Sequence, residues 1–207
     1  MIQRYLELLA RADAWFDRAA EAHEDEVRCA LACTLCCHGL FDVSPLDAAL
    51  LEEGVRQAPP ETREELGRRA ALALETVREA APEWDEPWAV GALGDERFDE
   101  VCEGLALLRC PALAADGSCR LYEHRPLICR LHGIPMYDPG ARTWLGGECE
   151  LNFPPDGRRA DPALWFDNRR FERDEQLLAE GLREAAPGRY VRTIIPAVLL
   201  RAATDPN

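Results

Sequence analysis

The stretch Cys29-Ala-Leu-Ala-Cys33-Thr-Leu-Cys36-Cys37 places four thiols within nine residues, and His38-Gly39 follows at once. Thiolates are soft ligands, and at this density they read as a metal site rather than a disulfide framework. Four more cysteines come later, at Cys110, Cys119, Cys129 and Cys149. The ninth, Cys102, stands alone in an apolar stretch and reads as a small hydrophobe outside the site. Intervals of two and three residues let neighbouring thiolates converge on one centre from a single turn. Adjacent Cys36 and Cys37 cannot both point the same way on regular structure, which implies an irregular loop or two centres sharing the segment. Eight thiolates match two four-ligand centres in number, while four suffice for one centre with the rest structural. The spacing does not choose the metal. Cys-x2-Cys pairs separated by a long insert are a zinc format, iron–sulfur clusters use similar intervals, and Cys110-Pro111 is like the Cys-Pro that closes ferredoxin ligand runs. His38, His124 and His132 lie close to cysteines in sequence and are open to ligand, supporting or plain loop roles.

Cys29-x3-Cys33-x2-Cys36 also has the spacing by which radical S-adenosylmethionine enzymes hold a cluster. Those enzymes place the loop after the first strand of a partial barrel. Here the motif follows a helical pattern, no alternation of strands and helices comes after it, and the Gly146-Gly147-Glu148 run sits far downstream. The match is read as coincidental. Disulfides are opposed by the odd cysteine count and by an N-terminal stretch without the continuous apolar region of a signal peptide. The expected setting is a reducing cytoplasm.

The charge balance narrows the partners. With 24 basic against 38 acidic residues the net charge is -14, which repels phosphate backbones and anionic headgroups, so neither nucleic acid nor membrane is expected as a partner. Every basic residue is arginine; the absence of lysine excludes Schiff-base chemistry and a Walker-type phosphate loop. At 207 residues the chain suits a single domain with a real core, so no metal is needed merely to make it fold.

The elements that must position the cysteines read as mainly α, with a small β-hairpin and long loops around the site. Tyr5, Leu8, Leu9, Ala12, Trp15, Phe16 and Ala19 recur at helical steps from Ile2 to about Arg28, which brings a helix exit directly to Cys29. Ser44-Pro45 starts a helix to about Gln57, and Pro59-Pro60 ends it. A third helix, Glu61 to Ala81, carries the stripe Leu66, Ala70, Leu74 and Val77. Pro82 to Gly94 reads as an irregular connection pinned by Trp84 and Trp88, and Phe98 to Leu108 is ambiguous between helix and strand. Ala115-Asp116-Gly117-Ser118 is a turn that closes a hairpin whose arms carry Cys110 and Cys119. Pro126 starts one or two helical turns bearing Cys129, and Ile134 to Asp161 reads as a long loop containing Cys149. Asp161-Pro162 caps a last long helix to about Ala185, with Leu164, Phe171, Leu177, Leu178 and Leu182 facing the core. Tyr190 to Ala203 is expected as a helix kinked at Pro196. In domain terms, a cysteine-cluster region at 29–149 is flanked by helices at 1–28 and 161–203.

Cys33-Thr-Leu-Cys36-Cys37, Ser44-Pro-Leu-Asp47, Cys110-Pro-Ala-Leu113 and above all Gly117-Ser-Cys119-Arg-Leu-Tyr122-Glu-His-Arg125-Pro126-Leu-Ile-Cys129-Arg130 resemble the bacterial CxxCxxCC cysteine-cluster proteins, a family of zinc- or iron-chelating domains. The family pattern begins Cys-x2-Cys, whereas three residues separate Cys29 from Cys33 here. The resemblance implies that Cys29, Cys33, Cys36, Cys37, Cys110, Cys119, Cys129 and Cys149 are metal ligands. A related cysteine-cluster region in flagellin lysine methylases, associated with an iron–sulfur cluster, tilts the implied cofactor toward iron–sulfur, 4Fe–4S in type, with zinc as the alternative. Beside the site, Arg125 and Arg130 would offset thiolate charge or bond to sulfur, and Tyr122 would pack over it; Arg125 is equally suited to pair with Glu123.

Three functions follow. One is a cluster protein for electron transfer, redox sensing or metal handling, with a protein redox partner. Another is a methylase-like or redox enzyme, although no glycine-rich strand-to-helix turn for S-adenosylmethionine is present. The third is a zinc-stapled interaction module. On all three, the early cysteines form one wall of a composite site closed by the later hairpin and loop, which couples metal binding to the fold of the middle region.

Overall fold

The computed structural model describes residues 1–30, 32–153 and 161–205. Its helices are Ile2–Ala22 (α1), Pro45–Gln57 (α2), Pro60–Ala80 (α3), Val90–Leu93 (α4), Asp95–Gly104 (α5), Leu127–Leu131 (α6), Asn168–Ala185 (α7) and Ile195–Thr204 (α8). Four two-residue strands complete it: Asp42–Val43 (β1), Tyr137–Asp138 (β2), Thr143–Trp144 (β3) and Thr193–Ile194 (β4). They pair antiparallel, β1 with β4 and β2 with β3. The protein is mainly α, as its periodicity predicts, and no described helix is long and apolar enough to cross a membrane.

The chain divides into two compact units, residues 1–31 with 127–185 and residues 32–126 with 186–207. The first unit is built on α1, whose Tyr5, Leu8, Leu9, Ala12, Trp15 and Ala19 are all buried. Trp15 meets Phe166 edge to face at 5.4 Å, and Phe166 leans on Phe171 of α7. Charge pairs edge this packing, Arg11 with Asp174 and Arg130 with Asp13 at 2.5 Å.

α1 stops at Ala22, short of the expected Arg28, so a turn and an irregular stretch rather than a helix exit lead to Cys29. The acids Glu24, Asp25 and Glu26 fall where the helix dipole is negative, and no basic residue in the last turn offsets it. The expected loop after Ile134 contains the β2–β3 hairpin. Asp138 Oδ1 accepts from the backbone N–H groups of Gly140 and Ala141, closing the Asp138-Pro139-Gly140 turn. Positions 154–160 of that loop lie outside the described residues. The helix expected from Asp161 is interrupted: Asp161 caps a single 3-10 turn at Pro162–Leu164. The Phe166 N–H then donates to the Tyr137 carbonyl, which takes that backbone out of helical geometry, and α7 begins anew at Asn168. Leu164, Phe171 and Leu182 are buried, Leu178 is half-buried, and Leu177 is exposed.

The second unit layers α2, α3 and α8 around Leu51, Val55, Leu66, Ala70, Val198 and Leu199. α2 begins where its cap chemistry places it, with Ser44 Oγ accepting from the Asp47 N–H at 3.2 Å. A second cluster gathers Leu74, Val77, Trp84, Trp88, Phe98 and Val101. The ambiguous Phe98 segment is thereby resolved as helix α5, and one turn, α4, forms inside the otherwise irregular connection before it. α8 is not kinked at Pro196. Residues 193–194 are taken by the ladder with β1, and Pro196 sits in the first turn, where its missing N–H costs no helical bond.

Candidate metal centre

In the second unit the double cysteine and the later hairpin are one construction. A 3-10 turn at Leu35–Cys37 ends at His38, and the chain then runs antiparallel to 108–110. The Cys110 N–H donates to the Cys37 carbonyl at 2.9 Å and the Gly39 N–H to that of Leu108 at 2.7 Å, setting His38 opposite Arg109. The same strand turns back as the expected hairpin. Ala114 N–H donates to Ser118 O, Arg120 N–H donates to Ala112 O, and Cys119 lies across from Leu113. Asp116 Oδ1 accepts from both the N–H and the hydroxyl of Ser118, and Gly117 takes φ +83° at the turn. A Cβ on Gly117 would fall 3.0 Å from the Cβ of Ala32, so the turn packs closely on the chain leading to Cys33.

The thiols here differ in acidity. The Cys37 thiol, donating to its neighbour's sulfur, does most to bring the Cys36 pKa down to about 6, and a backbone N–H, Arg125 and His38 add to this against burial. Burial pushes Cys110 up to about 11, with the nearby charges of Cys119 and Cys36 adding to it. Cys119 is raised by burial too, and Arg125 opposes the rise. Both pack against the apolar cluster of α2, α3 and α8. Cys36 is thus hydrogen-bonded to Cys37 and within electrostatic reach of Cys110 and Cys119, and Arg125 acts on Cys36 and Cys119. Cys33 is exposed on the approach to this group.

Arg125 also covers the Tyr122 ring at 4.2 Å, while Tyr122 itself remains 54% exposed. Arg109, which the sequence did not single out, donates to Ala114 O at 2.6 Å and fixes the hairpin from its own strand. His38 Nδ1 lies 3.0 Å from the Thr34 carbonyl, and His124 stacks on α2, where a Cβ at Gly54 would come within 2.7 Å of it. Cys102 sits apart, its Sγ 3.4 Å from the Leu40 carbonyl and its pKa raised to about 11 by burial.

The first unit holds Cys29, Cys129 and Cys149. Cys129 rides on α6 as Pro126 predicts, beside Arg130, which is 8% exposed and paired with Asp13. His132 has its pKa lowered by burial. Cys29 and Cys149 are tied to the same backbone at Gly133. The Cys149 N–H donates to the Gly133 carbonyl at 3.4 Å, and a Cβ on Gly133, at φ +119°, would reach 3.1 Å from Cys29 Sγ. Asn152, another residue the sequence reading missed, donates to Cys29 Sγ at 3.3 Å. Its only signal in the sequence is its place three residues after Cys149.

The donors fit a soft metal or a cluster in kind. The thiolate is the ligating form, Cys36 holds it near neutrality, and Cys110 and Cys119 must give up protons to a metal. Among the described residues no group of three or more His, Cys, Asp or Glu side chains is arranged to hold a single ion, and all nine cysteines are thiols. No curated protein and no solved structure matches the chain. A family pattern described as CxxCxxCC, putative zinc- or iron-chelating domain, matches residues 28–150. That span is more than half of the chain and takes in all nine cysteines, and the chain belongs to this family.

Proposed function

We propose that this chain is a metalloprotein whose cysteines hold an iron–sulfur cluster, 4Fe–4S in type, for electron transfer, redox sensing or metal handling in the cytoplasm. The observation that supports it is the ladder joining Cys37 to Cys110, which sets the segment carrying Cys36 and Cys37 beside the hairpin carrying Cys110 and Cys119. Donor sets of four sulfurs belong to zinc or iron–sulfur centres. Cys33 joins this group as a ligand from the exposed side, and Cys29, Cys129 and Cys149 serve as ligands in the first unit. Arg125, set against Cys36 and Cys119, offsets thiolate charge, while Tyr122 and Arg130 flank the ligand segments. When bound, the cluster supplies one-electron transfer, and a protein redox partner is its natural client. The charge of -14 disfavours nucleic acid and anionic membranes.

Zinc is the second reading, favoured by the Cys33-x2-Cys36 interval. Purification without oxygen followed by iron, sulfide and zinc analysis separates the two. A brown protein absorbing at ~400 nm, with iron and sulfide in equal amounts, is the expected result. A colourless protein with stoichiometric zinc would overturn it. C36S and C110S should each lose the bound metal.

A further inference from the structure

One buried side chain in the first unit joins three segments of chain. Asn152 is 3% exposed. Its Oδ1 accepts from the Arg28 N–H at 2.7 Å, and its Nδ2 donates to the Gly133 carbonyl at 2.7 Å and to Cys29 Sγ at 3.3 Å. The network assigns the amide's orientation: only the oxygen can accept from Arg28, and only the NH2 can donate to a carbonyl. Its own N–H donates to the Cys149 carbonyl at 3.0 Å, so the residue is held from the segment that carries a second cysteine. The bonds to Arg28 and Gly133 satisfy a buried amide as any structural asparagine would be satisfied. The remaining N–H is aimed at sulfur. Gly133 leaves open the space through which it reaches, since a Cβ there would lie 3.3 Å from Nδ2 and 3.1 Å from Cys29 Sγ.

We infer that Asn152 is a positioning residue for Cys29: its amide fixes the sulfur for metal and, by donating to it, offsets the charge of the thiolate ligand. A donor to a ligand sulfur tunes affinity and, in an iron–sulfur centre, potential. Asn152 lies beyond the span matched by the family, so the cysteine pattern does not assign it this role. The inference rests on the reading of Cys29 as a ligand.

The test uses the full chain loaded with Co(II) without oxygen. Affinity is read by competition with a chromogenic chelator, and sulfur ligation by the thiolate-to-cobalt absorption. N152L removes every side-chain hydrogen bond. N152D keeps the oxygen that accepts from Arg28 and loses the donor to sulfur, which separates that donor from space filling. Both should weaken Co(II) binding by about 10- to 100-fold and reduce the thiolate band, with far-UV circular dichroism unchanged. C29S should weaken binding at least as much, and N152L should add nothing in the C29S background. Wild-type affinity in N152L and N152D beside an impaired C29S would overturn the role of Asn152 alone. So would an N152L effect that is undiminished in the C29S background. Wild-type affinity and absorption in C29S would overturn the ligand reading of Cys29, and the inference with it.

Discussion

The nine thiols are not chemically equal, and the differences come from what each side chain touches. Cys36 accepts from the neighbouring Cys37 thiol and faces Arg125, which brings its pKa to about 6, whereas desolvation holds Cys102, half-buried beside Leu40, near 11. A lowered pKa leaves the thiolate populated above about 6, and a raised one keeps the thiol protonated until about 11. In the metal-free protein, the alkylation rate of Cys36 should therefore rise through pH 6 and level off by pH 8. Cys102 should stay unlabelled over the same range, and mass spectrometry of timed iodoacetamide reactions checks both. Replacing Arg125 by Met removes the cation beside Cys36 and Cys119. That change should weaken metal binding about tenfold, read by chelator competition.

At the level of elements, the hairpin from Cys110 to Cys119 is the piece on which the second unit's site depends. Gly117 sits at φ +83° with Ala32 directly beneath it. G117A should cost about 1–2 kcal/mol in urea unfolding, from a side chain forced into the left-handed region and against Ala32, and should weaken metal binding as well. Loss of the cap on α2 by S44A should cost about 1 kcal/mol and leave metal stoichiometry unchanged, because Ser44 supports only the helix start. The pair distinguishes an element that shapes the site from one that carries it. The element boundaries that sequence misplaced share a cause. α7 starts late because the backbone at Phe166 bonds to Tyr137, and α8 starts at Ile195 because Thr193 and Ile194 pair with β1. A partner distant in sequence took the hydrogen bonds that a helix would have used.

For the whole molecule, each unit buries apolar residues of its own, α1 with Phe166 and Phe171 in one and α2, α3 and α8 in the other. Removing metal by chelation should lower the melting temperature, because a ligand bound only by the folded state stabilises it. It should leave most of the helical circular dichroism in place, since Leu51, Leu66 and Val198 belong to one buried apolar cluster against which Cys110 and Cys119 are only partly buried additions. A chain that loses its helical signal on chelation would show instead that the metal holds the core.

Sequence by itself determined the chemistry and the local structure: the density of thiols, the stripes of α1 and α3, the Ser44 cap and the Gly117 turn. These are set by neighbours a few residues apart, through helical period, cap hydrogen bonds and backbone angles. Tertiary structure alone decided which thiols keep company, with Cys37 laddered to Cys110 and with Cys29 and Cys149 gathered at Gly133. It also raised the thiols of Cys110 and Cys102 by burial and put Asn152 on the Cys29 sulfur. Each of these rests on burial or on a hydrogen bond between residues tens of positions apart or more, for which no spacing pattern exists to be read.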